Sequence, residues 1–117
     1  MNTEALIIQH LSRHLAEGVK AYAQIPATRP PTFVTVERTG GARTHLDDTA
    51  TLAIQAWAPT RRSAAALADE VASIVMRAWE LPQVGRVSVE SVYNFPDPAS
   101  ACPRYQLTVV VSVFPGA

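Results

Sequence analysis

The chain is 117 residues long, 48% apolar, and carries ten cationic against ten anionic side chains. That length holds one domain, residues 1–117, with no room for a second core, and a zero net charge argues against a nucleic-acid binder, which usually shows a basic excess. The lone cysteine, Cys102, excludes an intramolecular disulfide, and no stretch approaches the roughly 20 continuous apolar residues of a membrane helix.

The chain opens on Met1-Asn2-Thr3-Glu4, which does not read as a basic leader, so a cytosolic product is expected. A first helix is predicted over Thr3–Glu17, capped by Asn2 or Thr3. Ile7, Ile8, Leu11 and Leu15 form its apolar stripe, and Gly18 is the expected stop. Val19–Ala23 reads as a short strand. The connector Ile25–Pro31 follows, where three prolines forbid regular structure. Thr32–Arg38 reads as a second strand, and the glycines of Thr39-Gly40-Gly41-Ala42-Arg43 predict a polar, mobile loop reaching to about Asp47.

A third strand is expected over Ala50–Ala58, with Leu52, Ile54 and Ala56 on one face and Gln55 and Trp57 on the other. Thr60 or Ser63 caps a second helix whose stripe is Ala64, Leu67, Ala68, Val71, Ile74, Val75 and Ala78; Trp79 at its end is expected in the core. Arg86–Tyr93 is a fourth main strand, with Val87, Val89, Ser91 and Tyr93 set against Arg86, Ser88, Glu90 and Val92. The proline-braced loop Asn94–Pro103 leads into the last strand, Arg104–Phe114, and Pro115-Gly116-Ala117 forms a tail. That last strand alternates cleanly: Tyr105, Leu107, Val109, Val111 and Val113 against Gln106, Thr108, Val110, Ser112 and Phe114. One greasy face and one wetter face mark a sheet packed on one side only. The order α-β-β-β-α-β-β therefore predicts a two-layer α+β sandwich, two helices on one face of a mostly antiparallel sheet.

No catalytic motif stands out. His10 and His14 have the i, i+4 spacing of metal ligands, but no zincin glutamate lies between them, and solvated helix histidines are expected. Asp47-Asp48 reads as a turn before a strand rather than a cation site. Cys102 has no histidine or acid beside it, and Gly40-Gly41 is too short to cradle a phosphate. The expectation is therefore a non-enzyme with no cofactor and no metal. Trp57, on the less apolar face of its strand, suits a subunit contact or a place under a loop; tryptophan is enriched at interface centres. Val92, Val110 and Phe114 add apolar area to nominally wet faces. Arg61 and Arg62 run against the dipole preference of a helix N-terminus.

Three stretches together carry a resemblance. They are Arg29-Pro30-Pro31-Thr32-Phe33-Val34-Thr35-Val36-Glu37-Arg38-Thr39-Gly40-Gly41, then Thr51–Ala58 running directly into the Ala-rich helix Ser63–Ala78, then Phe95-Pro96-Asp97-Pro98 followed by Pro103–Val109. In this order and spacing, over nearly the whole chain, they resemble the tail-terminator (tail-completion, head–tail joining) proteins of long-tailed phages, in the versions carried by actinobacterial phages and prophages. The resemblance implies a structural virion protein, assembled in the host bacterial cytoplasm and located at the head–tail junction. It implies a ring, typically of six copies, that caps the tail tube, stops its elongation and meets the head connector or stopper. DNA is implied only in passage through the lumen, with no membrane and no catalysis. A ring needs heterologous contacts, and the candidates for them are Trp57, Gln55, Val92, Val110 and Phe114, with Arg43, Asp97 and Arg104 in or beside the two long loops. Those loops, 40–47 and 94–103, are expected to order on docking. Competing readings are another head–tail connector, of head-completion or stopper type; a small nucleic-acid-binding module, which needs paired aromatics and a basic surround; and a small hydrolase or transferase.

Overall fold

Strict alternation makes the sheet and helical stripes cover it. The computed structural model describes residues 2–114; the expected tail at 115–117 lies outside them. The elements are α1 (Thr3–His14), β1 (Ala21–Tyr22), β2 (Phe33–Arg43), β3 (Asp48–Trp57), α2 (Arg61–Met76), a 3-10 turn (Arg77–Glu80), β4 (Val84–Asn94) and β5 (Arg104–Val113). The order is α-β-β-β-α-β-β, as the sequence predicts. The five strands lie side by side as β1-β2-β3-β5-β4, all antiparallel except the short β1–β2 pair. Val34 and Val36, Leu52, Ile54 and Ala56, and Leu107, Val109 and Val111 bury one face against Ile7 and Leu11 of α1 and Leu67, Val71 and Val75 of α2. Each such side chain contributes on the order of 2 kcal/mol of burial.

Asn2 caps α1 by accepting the Ala5 N–H. The helix ends at His14, three residues before the expected Glu17, because Leu15 takes an extended backbone and still buries its side chain. Gly18, with φ of +86°, serves the following turn instead of the helix end. The Ser12 hydroxyl then accepts the Ala21 N–H, tying β1 to α1. α2 starts with a capping box: Thr60 Oγ1 accepts the Ser63 N–H and Ser63 Oγ accepts the Thr60 N–H.

Two expectations fail at β-bulges. Gly40-Gly41 does not form a loop. β2 runs on to Arg43, with Thr39 as an extra residue between the pairs Arg38–Leu52 and Gly40–Thr51. Gly41 sits at φ +120°, and a Cβ there would collide with the Thr49 carbonyl oxygen. The true turn is Thr44–Asp47, closed by the Thr44 hydroxyl on the Asp47 carboxylate and by the Leu46 and Asp47 N–H groups on Thr44 Oγ1. In β4, Glu90 is an extra residue between the pairs Val89–Val109 and Ser91–Thr108. It inverts the alternation: Val92 pairs with Leu107 on the helix side, and Tyr93 pairs with Gln106 on the open side.

Three further side chains depart from expectation. His10 is buried, not solvated, and its Nε2–H donates to the Ile74 carbonyl at 2.8 Å, joining α1 to the end of α2. His14 donates from Nδ1 to the His10 carbonyl, so each ring has a nitrogen committed to backbone. Trp79 lies on the 3-10 turn and is 64% exposed, outside the core.

Asp48, expected in a plain turn, is buried at the start of β3. Arg38 grips it with two hydrogen bonds of 2.7 and 2.8 Å, the Thr3 hydroxyl donates to it, and Arg43 approaches at 3.4 Å. The Arg38 hydrogen bonds hold its carboxyl well below the usual carboxylate range, with Thr3 and Arg43 adding to the effect. Glu4, in the first turn of α1, accepts the Arg38 backbone N–H at 2.7 Å. The network fastens the start of α1 to the β2–β3 hairpin.

Asp48→Asn should lower unfolding free energy by about 2–3 kcal/mol in urea titrations, since it leaves Arg38 without its carboxylate. Because the Asp48 pKa is depressed on folding, its stabilisation is present above its unfolded value near about 4 and fades as the pH falls below that. The acid limb of the stability–pH curve should therefore be flatter in the variant. Gly41→Ala should destabilise by about 2 kcal/mol or more through its positive φ and the Thr49 clash, measured the same way.

Candidate functional site

The face of the sheet away from the helices is organised in rows running across the strands. At the end where β3 finishes, the row is aromatic and cationic. Tyr22 meets Phe33 edge-on (centroids 6.3 Å), and Phe33 stacks on Trp57 at 5.2 Å. Arg104 lies over Trp57 at 4.9 Å and over Phe95 at 4.5 Å, and Phe95 meets Tyr93 at 5.7 Å. Arg29, from the proline-rich connector, covers Trp57 at 5.3 Å. Register explains the row: Phe33 pairs with Trp57 and Trp57 with Arg104, so the three side chains share one face.

The next row is a relay of hydrogen bonds. The Trp57 indole N–H donates to Thr35 Oγ1 and the Thr35 hydroxyl to Gln55 Oε1. Gln55 Nε2 donates to Gln106 Oε1 at 2.8 Å, and Gln106 Nε2 to the Tyr93 hydroxyl at 2.6 Å. Beyond it the face carries small residues: Thr51 opposite Val110, Ser88 beside them, and Thr49 hydrogen-bonded to Ser112.

The sequence-derived candidates scatter over this frame. Trp57 does not offer a surface to a partner: it is fully buried beneath Arg29, Phe33 and Arg104, so its place under a loop is the one realised. Arg104 is also buried, its guanidinium held between two rings and its Nε donating to the Phe95 carbonyl. Gln55 is half-buried within the relay, and Val110 is half-buried on the small-residue strip. Val92 is 42% exposed but belongs to the helix side. Phe114 is 44% exposed and rests its ring on Gly85, at the opposite end from Trp57. Arg43 is exposed over Asp48. Asp97 is half-buried in its own loop, accepting from the Ser100 hydroxyl and the Ala99 N–H. The Ser100 hydrogen bond lowers its carboxyl pKa. That turn pins the 94–103 segment, with Ala101 at φ +56°.

Sequence reasoning missed Tyr22, Arg29 and Tyr93 as parts of the row. Tyr22 and Arg29 meet Phe33 and Trp57 only once the strands and the connector are in place, and Tyr93, near Phe95 in the chain, is turned to this face by the bulge at Glu90. Among the described residues, no group of three or more His, Cys, Asp or Glu side chains is arranged to hold a metal ion. A hollow of about 230 Å³ lies between the connector and the sheet, lined by Gln24, Ile25, Thr35, Glu37 and Gln55. A second, about 440 Å³, opens at the start of α1 between Glu4, Arg38 and Arg43. The hydroxyls that line them are committed to side-chain acceptors, Thr35 to Gln55 in the first and Thr3 to Asp48 in the second. No family model matches the chain, and no curated protein matches it.

With Trp79 replaced by Phe, the remaining Trp57 emission should be blue-shifted and poorly quenched by acrylamide, whereas Trp57→Phe should leave a red-shifted, readily quenched signal. Thr35→Val should cost about 1–2 kcal/mol by leaving the buried indole N–H unpaired, read by thermal or urea unfolding.

Proposed function

We propose that this protein is a structural subunit of a phage tail, a tail terminator whose copies form a ring that caps the tail tube, halts its elongation and meets the head connector. The observation that carries this reading is where the exposed large apolar side chains lie. Apart from Ile25, which stands on the connector over the hollow beside Gln55, they fall into two sets: Tyr93 and Phe95 crown one end of the strands, with Val92 just behind them. Leu46, at the tip of the β2–β3 turn, and Phe114 mark the other end, and Met76 and Trp79 stand on the passage leading to it. The molecule is 42 Å long and 27 by 25 Å across, so the two sets are well separated. Two unlike apolar ends on one small domain suit a brick that meets different neighbours fore and aft, and heterologous contacts close into a ring where the rotation between copies returns on itself. The 97–100 and Thr44–Asp47 turns are each closed by their own hydrogen bonds, so neither end needs the ordering on docking that the sequence suggests in order to take its shape. The resemblance in element order and loop placement supports the same reading.

The purified protein, alone and mixed with tail-tube subunits, should run as a closed oligomer in native mass spectrometry, and should copurify with tails rather than with heads. Phe95→Ser and Leu46→Ser should leave the fold intact by circular dichroism yet each reduce tail-to-head joining about tenfold or more. A strict monomer under both conditions, or copurification with heads, would remove the terminator reading; the second result would favour a head-completion or stopper role.

A further inference from the structure

The neutral chain is electrically lopsided. Arg13, Lys20, Arg29, Arg61, Arg62 and Arg104 gather at the Trp57 end, against only Glu17 and Asp97. The rest of the molecule therefore carries a negative excess of the same size. Arg104 is buried and Asp97 is tied into its own turn, so the exposed charge at that end is Arg13, Lys20, Arg29, Arg61 and Arg62 against Glu17 alone. Arg61 and Arg62 stand in the first turn of α2, which contains no acid, where the helix dipole opposes them. The carboxylates Asp69 and Glu70 are exposed further along the same helix, about 10 Å away. Ala66 occupies the position four residues after Arg62, where an intrahelical acid would pair with it. Among the described residues the ion pairs are Arg38–Asp48, Arg43–Asp48 and Arg77–Glu80, which leaves both groups unmatched within the copy.

We infer that the arginine-bearing end of one copy, with Arg29, Arg61 and Arg62, seats on the acidic outer face of α2 in the next copy, against its Asp69 and Glu70. The inference rests on the assembly reading above and names the surfaces that meet. Arginine suits carboxylates because its planar fork binds them through two parallel hydrogen bonds. Phe95 and Tyr93, exposed at the same end of the strands, supply the aromatic area that protein interfaces favour. A nucleic acid fits less well, since tight phosphate binding needs more cationic contacts than this end exposes.

The test is a charge exchange in the full chain, with Arg61→Glu/Arg62→Glu in one variant and Asp69→Arg/Glu70→Arg in the other, and circular dichroism confirming that each is folded. By light scattering at about 0.05 M salt, where surface charges are least screened, the wild-type protein should assemble. Each variant alone should dissociate, its apparent dissociation constant raised about tenfold or more, and an equimolar mixture should reassemble. Unchanged assembly of either variant alone would overturn the inference and leave the ring reading standing. So would a mixture that stays dissociated. A wild-type protein that does not assemble alone would overturn the inference too, and one that also stays monomeric with tail-tube subunits would end both. Retention of duplex DNA by the wild-type protein, lost in the arginine variant without any change in oligomer mass, would instead assign these arginines to phosphate and overturn the proposal.

Discussion

A sheet with helices on only one side must find another way to hold its second face, and here the answer is contact between side chains of neighbouring strands. The row from Tyr22 through Phe33, Trp57 and Arg104 to Phe95 crosses the sheet from one edge to the other. Each aromatic pair adds about 0.5–1.5 kcal/mol beyond the area it buries, and the desolvated guanidinium over Trp57 contributes on a similar scale. Arg104 tolerates this burial because a guanidinium is weakly hydrated, lies flat between rings, and still donates to the Phe95 carbonyl. The hydrogen-bonded relay beside it fixes the amide orientations of Gln55 and Gln106, since each must both donate and accept along the chain from Trp57 to Tyr93. The result is a flat outer surface that is stiff without a second layer of helices.

What could be read from the sequence follows from how local each cause is. The alternation of β5 and of β3, the stripe of α2 and the Thr60 cap depend on residues within a few positions of one another, and all are visible in the string. The bulges at Thr39 and Glu90 are not. A period-two reading carries straight through Glu90 and assigns Val92 and Tyr93 to the wrong faces, because one extra residue leaves no compositional mark. Gly40-Gly41 looks like a turn, since glycine favours both turns and bulges, and only the pairing with Thr51 and Ala50 tells them apart. Alternation sets Trp57 correctly on the open face. Its burial depends on Arg29 and Arg104, which no window around Trp57 contains. His10 was more legible than the expectation allowed, for it falls between Ile7 and Leu11 on the buried stripe. Asp48 is harder: its partner Arg38 is reached only by folding the hairpin.

The same architecture bears on how the molecule meets others. The buried row removes Trp57 and Arg104 from the accessible surface, yet it sets the rims of that end, where Phe95, Tyr93 and Arg29 stand exposed around a rigid base. The opposite end is held differently, by the buried Asp48 and its ring of donors. One end is braced by ring faces and the other by charge, so changes in salt and acidity act on them unequally.

Glu4 has one more role. β1 covers only the first part of the outer edge of β2, and the next outward-facing N–H, on Arg38, is taken by the Glu4 carboxylate. A helix thus blunts a strand that would otherwise offer its backbone as a template for stacking by stray chains. Fraying of that first helical turn would bare this N–H and reopen one edge of the sheet to such pairing.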